Sequence, residues 1–440
     1  MNKHVVSIVR YGKPLASVQK AVELSDGLKG LSPSSKVFIK PNIVFWNRNA
    51  PFPKWGVITT SRTVEDMVIL LKDLGITDIS IGEGTVLMDP RDRETQHQAF
   101  RQLGYETLQK RYGIKLVPVF ERPFKKVDLG DNIALKFNVD ILESDFVVNI
   151  PVLKTHAQTV VSLGIKNLKG TIDLNSRKKC HSEDAGKDLN FRIAKLADPM
   201  PPIFTLLDGI YTNERGPSFD GRIRRGNVLI ASKDILSADK VGANILGHPV
   251  SDVPHLVHAA KNHNRPLDLS DIELKGEPVD AVTVQHKHDF PYNKEGTLPL
   301  VFQRMKISGL SYRKYDLTLC TYCSFLNGAM LTALAKAWDG TPWDDVEILT
   351  GKTMSPTPGR KKTILMGRCM YQANKNHPDI SEMIAIKGCP PNPKEIVSAL
   401  HKAGIEVDGN IIENIERLPE SFMERYRDKP EFEEAFFEIG

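Results

Sequence analysis

Short apolar runs of the buried-strand kind recur along this chain, and a polar cluster follows each at once. Val37-Phe38-Ile39 runs into Lys40-Pro41-Asn42, and Ile79-Ser80-Ile81 into Gly82-Glu83-Gly84. Phe146-Val147-Val148-Asn149-Ile150 stops at Pro151, with Lys154-Thr155-His156 just beyond, and Phe204-Thr205-Leu206-Leu207 meets Asp208-Gly209. Runs this short, apolar on both faces, suit strands of a parallel sheet covered by helices on either side. Helical spacing fills the intervals at 15–28, 60–74, 97–112 and 235–246. In the second of these Val64, Met67, Val68, Leu71 and Leu74 share one face, Ser61 or Thr63 can cap it and Gly75 ends it. The alternation predicts an α/β domain over residues 1–261, with a mainly parallel sheet and flanking helices. Ligands in such sheets sit beyond the carboxyl ends of the strands, so the polar clusters are expected to share one cleft.

The 440 residues leave room for more than this domain. Over 262–309 the pattern weakens, and this stretch reads as a linker or peripheral element. It contains Gln285-His286-Lys287-His288-Asp289; with no third ligand nearby, a solvated strand or loop is preferred to a metal site. A smaller α/β unit follows at 310–410, with strands expected at 317–319, 346–349, 363–366 and 384–386. The last segment, 411–440, reads as an acidic helical tail.

Composition removes several function classes. With 59 basic and 54 acidic side chains, the net charge of +5 gives no footprint for nucleic acid. No run of about 18 apolar residues is present, so no membrane span is expected. The first residues lack the apolar core of a secretory signal, which gives a cytoplasmic expectation. There is no phosphate-binding or dinucleotide-binding glycine loop and no nucleophile elbow. The sequence leaves the oligomeric state open.

Five cysteines are present, and four of them, Cys320, Cys323, Cys369 and Cys389, lie in the last third. The spacing is a tight pair, then 45 intervening residues, then 19. Three of these positions follow expected strands, so the thiols are expected to converge at one sheet edge. Four thiolates suit tetrahedral zinc or an iron–sulfur cluster. Structural zinc usually takes two tight pairs, and only one exists here. A cubane is wider than a single ion, so separate loops can reach its corners. Four inert buried cysteines are the remaining alternative.

Ile386-Lys387-Gly388-Cys389-Pro390-Pro391 resembles the Gly-Cys-Pro-Pro segment of the small subunits of nickel–iron hydrogenases and of the cluster-bearing subunit of NADH:quinone oxidoreductases. Cys320-Thr321-Tyr322-Cys323 resembles their first cysteine segment. The resemblance implies a flavodoxin-like domain in which Cys320, Cys323, Cys369 and Cys389 hold one [4Fe-4S] cluster.

In the N-terminal part, Lys154, His156, Lys166, Lys169 and His181 suit a cationic pocket for a carboxylate or phosphate. His156 or His181 suits proton transfer near neutral pH, with Lys154 beside them. Lys40, Asn42, Glu83 and Asp208 would complete the wall. Cys180, within Lys178-Lys179-Cys180-His181, is either a nucleophile or incidental. The ordered series Lys40-Pro41-Asn42, Pro151 to His156, Leu163 to Gly170, Asp208-Gly209-Ile210 and Ala238-Asp239-Lys240-Val241 resembles the family called domain of unknown function 362. That family is often attached to iron–sulfur modules and is distantly similar to nickel-dependent lactate racemases, from which no nickel site is carried over. The combined expectation is an iron–sulfur oxidoreductase acting on a small anionic substrate and exchanging electrons with a redox partner protein. The alternatives are an electron-transfer or activator protein, a non-redox isomerase or hydro-lyase using a metal as Lewis acid, and a structural zinc protein.

Overall fold

The computed structural model describes residues 3–87 and 89–440. Contacts divide the chain into two units: residues up to Arg177 with Asn190–Asp289 and Phe422–Gly440, and Lys178–Leu189 with Phe290–Ser421. The boundaries differ from those read in the sequence. The expected linker at 262–309 is split between the units, and so is the expected tail at 411–440.

The first unit carries strands β1 (His4–Arg10), β2 (Val37–Pro41), β3 (Ile79–Glu83), β4 (Lys115–Pro118), β5 (Phe124–Asp128) and β6 (Ala134–Asn138). It continues with β7 (Phe146–Ile150), β8 (Val152–His156), β9 (Val160–Ser162), β10 (Ile203–Glu214), β11 (Arg222–Ser232) and β12 (Ile272–Gly276). Ten of these form one sheet among the described residues, in the order β12-β1-β11-β10-β7-β2-β3-β4, with β8 beside β10 and β9 beside β8. The stretch from β10 through β7, β2 and β3 to β4 is parallel. Its central strands β2 and β7 are buried at every position, which is why their sequences are apolar on both faces. Strand β12, expected to be linker, pairs in parallel with β1. The antiparallel pair β5–β6 was not anticipated.

Helices Ser61–Asp73 and Ile235–Ile245 match their periodic segments, though Thr60 rather than Ser61 or Thr63 takes the cap position of the first. The helix expected over 97–112 breaks in two at Gly104, whose φ of 74° ends the first half and starts the second. His286 is not solvated. It is 2% exposed, with Nε2 2.8 Å from Thr212 Oγ1 and Nδ1 2.9 Å from the Val284 carbonyl.

The second unit holds β13 (Leu310–Tyr312), β14 (Val346–Leu349), β15 (Lys362–Met366) and β16 (Glu382–Ile386). All neighbours are parallel and follow one another in chain order, whereas flavodoxin-like sheets run 2-1-3-4-5. The first strand is 310–312, not 317–319. Helix Thr321–Ala337 then returns the chain to the sheet, and helices Gly367–Asn374 and Pro393–Lys402 flank β16.

Candidate functional sites

Each unit has one candidate site. In the first, Lys40 and Glu83 end their strands while Lys154 and Asp208 lie within strands, and the buried groups form a closed internal network. Lys40, at the end of β2, is fully buried and pairs with Glu83 at the end of β3, Nζ to Oε2, at 2.8 Å. Its ammonium also donates to the Pro41 carbonyl at 2.7 Å and to Asn167 Oδ1 at 3.3 Å. The Glu83 carboxylate accepts from the backbone N–H of Ile43 at 2.9 Å and of Gly84 at 2.8 Å. Burial pulls the Lys40 ammonium below its usual range, and Glu83 opposes that pull.

Lys154 stands on β8, a strand that starts immediately after Pro151 rather than the basic loop expected there. Its ammonium donates to Asn42 Oδ1 at 2.7 Å, to the Val57 carbonyl at 2.8 Å and to the Pro217 carbonyl at 3.1 Å. Three acceptors match its three protons. Burial lowers Lys154 to about 7; Glu83 counters this and Lys40 adds to it. Asn42 joins the two lysines by donating from Nδ2 to Asn167 Oδ1 at 3.0 Å. Asp208, inside the long strand β10, accepts from Thr60 N and Oγ1, each at 2.8 Å, and burial raises its carboxyl.

The positions that sequence reading did not single out are Asn149, Asn167 and Gly170. Asn167 Nδ2 donates to Asn149 Oδ1 at 2.8 Å, in the middle of buried β7. One signal was available, because a lone Asn in an apolar strand must find partners. Gly170 lies on the ion pair: a Cβ there would stand 2.1 Å from Glu83 Oε1 and 2.7 Å from Lys40 Nζ. Lys166 and Lys169 are half-buried in the short helical segments that carry Asn167 and Gly170. His156 is half-buried two residues along β8 from Lys154, and its Nδ1 accepts from Gln158 N at 3.1 Å.

His181 is not part of that network. With Cys180 it belongs to the second unit, where its Nδ1 is 2.9 Å from the Leu317 carbonyl and the His181 carbonyl accepts from Lys352 Nζ. Lys178 lies 4.9 Å from the centre of the Tyr322 ring in the same unit. The sequence places these residues inside the N-terminal series, and only the contacts move them.

The second site is the carboxyl edge of the four-stranded sheet. Cys320 caps helix Thr321–Ala337 and Cys323 sits in its first turn, on the connection leaving β13. Cys369 lies in the first turn of the helix after β15, and Cys389 follows β16. Gly367 has φ 84°, and a Cβ on it would be 3.6 Å from Cys323 Sγ, 3.6 Å from the Gly388 carbonyl and 3.3 Å from Pro391 Cγ. The Arg368 N–H donates to that same carbonyl at 3.1 Å. The connections after β13, β15 and β16 therefore meet around Cys323. A hydrogen bond with Cys320, burial and the other three thiols push its thiol above the usual range. Burial also raises Cys369, against the pull of Lys352. Cys369 and Cys389 are exposed, and Cys320 and Cys323 half-buried.

Among the described residues, no three His, Cys, Asp or Glu side chains form a group that could hold a metal ion. Tetrahedral zinc would draw its thiolates to about 3.8 Å from one another. The donor set, four thiols on connections that meet at Gly367, is of the kind that holds either zinc or an iron–sulfur cluster. No helix among the described residues is long and apolar enough to cross a membrane.

A thylakoid-associated protein of Synechocystis is 28% identical over 247 residues, covering 55% of this chain and 73% of that protein. The lactate racemase apoprotein of Thermoanaerobacterium thermosaccharolyticum aligns with 57% of this chain and 58% of its own, at 16% identity and a TM-score of 0.35, which carries no argument about the site. Residues 37–244, which contain the Lys40–Glu83–Lys154 network, match the family described as Domain of unknown function (DUF362), and strands β13–β16 with their four cysteines lie outside that match.

Proposed function

We propose that this protein is an iron–sulfur redox protein in which Cys320, Cys323, Cys369 and Cys389 hold a [4Fe-4S] cluster. The observation that carries the reading is the issue of all four cysteines from the carboxyl edge of one small parallel sheet. Such a cluster supplies one-electron transfer when bound. Exposure of Cys369 and Cys389 favours exchange with a redox partner protein at that side. The chain's own contribution is to hold the thiols at fixed positions and to restrict water around Cys323.

An oxidoreductase role on a small anionic substrate is the finer layer of the proposal. Its support is the half-buried pair Lys166 and Lys169, on the short helical segments that also supply Asn167 and Gly170 to the closed network. His156, half-buried two residues along β8 from Lys154, would meet the substrate with them. A cytoplasmic location belongs to the same proposal, and fractionation of cells tests it against the thylakoid association of the relative.

The deciding experiment is iron and acid-labile sulfide analysis of anaerobically purified protein, with visible spectra before and after dithionite. About four iron and four sulfide per chain, with a visible band that bleaches on reduction, are expected. Absence of sulfide and colour, with or without one zinc, overturns the cluster reading.

A further inference from the structure

We propose that the groove between β11 and residues 425–432 is a binding site for a small soluble polyphosphate anion. This is independent of the cysteine reading. A cavity of about 590 Å3 within the first unit is lined by five cations, Arg222, Arg224, Arg225, Arg425 and Lys429, and by one acid, Glu431. The whole chain carries nearly equal numbers of basic and acidic groups, 59 and 54, so this local imbalance is built by the fold.

The cations divide into two sets. Arg224 and Arg225 are fixed. Arg224 Nη2 is 2.5 Å from Glu214 Oε2. Arg225 donates to Tyr211 Oη and Asn227 Oδ1, both at 2.5 Å, and pairs with Glu433 at 3.4 Å. Arg222, Arg425 and Lys429 make no ion pair with a carboxylate among the described residues. Arg425 donates to the carbonyl oxygens of Asp220 at 3.4 Å and Gly221 at 3.3 Å, and the Asp220 carboxylate offsets part of its charge without a direct ion pair. The Arg224 Nε is buried and without a hydrogen-bond partner. Alternation along β11 places Arg222 and Arg224 on one face.

Three cations without a direct carboxylate partner around one concavity repel each other, and a multiply charged anion among them relieves that repulsion. Arginine forks match phosphate oxygens in pairs, so phosphate is preferred to an isolated carboxylate. Tyr426 and Phe432 add ring surface to the wall, and the volume lies in the range of small-ligand sites.

Calorimetric titration of the full chain with inorganic pyrophosphate, at about 0.1 M salt, tests this. Saturable binding is expected, weakened at least about tenfold in Arg222→Glu/Arg425→Glu, since each lost pairing with an ionised group is worth a charge-assisted bond. Both positions are exposed, and the melting temperature of each variant, measured alongside the titration, separates loss of binding from loss of folding. Lys20→Glu/Lys110→Glu, equal in charge change but outside the groove, should bind within about twofold of wild type. The proposal is overturned by any of four results: no saturable heat, equal loss in both double variants, equal affinity for sulfate, or binding to anionic lipid vesicles without binding to pyrophosphate.

Discussion

The polar network of the first unit and the cysteine edge of the second both lie beyond the carboxyl ends of parallel strands, yet they are finished differently. In the first, the Lys40 and Lys154 ammonium groups and the Glu83 carboxylate all find partners inside the protein. Lys40 and Lys154 are 0% and 1% exposed, so the protein has replaced their water completely. In the second, two of the four cysteines are exposed residues, and the common neighbourhood raises rather than lowers the thiol of Cys323. A closed network fixes where strands end relative to one another. An open set of mutually unfavourable thiols gains stability when a positively charged group joins it.

Four changes test this contrast, in descending order of effect. Cys389→Ser should remove most of the iron and sulfide, whereas Cys180→Ser should leave both in place; unchanged metal content in the first would end the ligand assignment. Glu83→Ala leaves the Lys40 ammonium buried without its carboxylate, and should cost about 3–5 kcal/mol in chemical denaturation. A loss under about 1 kcal/mol would mean that water enters the network and that it is less closed than described.

The third concerns pH. Lys154 sits at about 7 in the folded chain, while a free lysine titrates near 10.4. Between these values the unfolded chain holds the extra proton, so stability should rise as pH increases from about 7 toward 10. Lys40, displaced in the same direction, adds to the slope. Lys154→Met should flatten that rise by about 1–2 kcal/mol between pH 7 and 9 in urea titrations. A flat wild-type profile would instead mean that the three acceptors keep the ammonium charged throughout. The fourth is Gly367→Ala. With φ at 84° and Cys323 Sγ 3.6 Å from the added methyl, it should cost about 1–2 kcal/mol and lower iron content below wild type. Full iron content would show that the thiols do not depend on that close approach.

Much of the first unit's architecture could be read locally. The runs at β2, β3 and β7 are apolar on both faces because helices cover both sides of the sheet, and that requirement is written in each run by itself. Helices Ser61–Asp73 and Ile235–Ile245 were legible for the same reason, each carrying its own periodic face. The failures have non-local causes. Strand β12 has two alternating polar positions and little apolar signal of its own; pairing with β1 makes it a strand. His286 looked solvated because its neighbours are polar, but its partner Thr212 lies on β10, far away in sequence.

The candidate sites divide along the same line. Sequence alone determined that Lys40 and Glu83 end their strands and that Cys369 and Cys389 follow theirs, because each abuts a buried apolar run of its own. Tertiary structure alone decided what those residues do to one another. It turned Lys40 and Glu83, 43 positions apart, into an ion pair, supplied Lys154 with acceptors from three other segments, and moved His181 from the N-terminal series to the cysteine unit. The physical reason is that burial and hydrogen-bond completion are sums over neighbours from distant parts of the chain. The strand signal is carried by each run's own side chains.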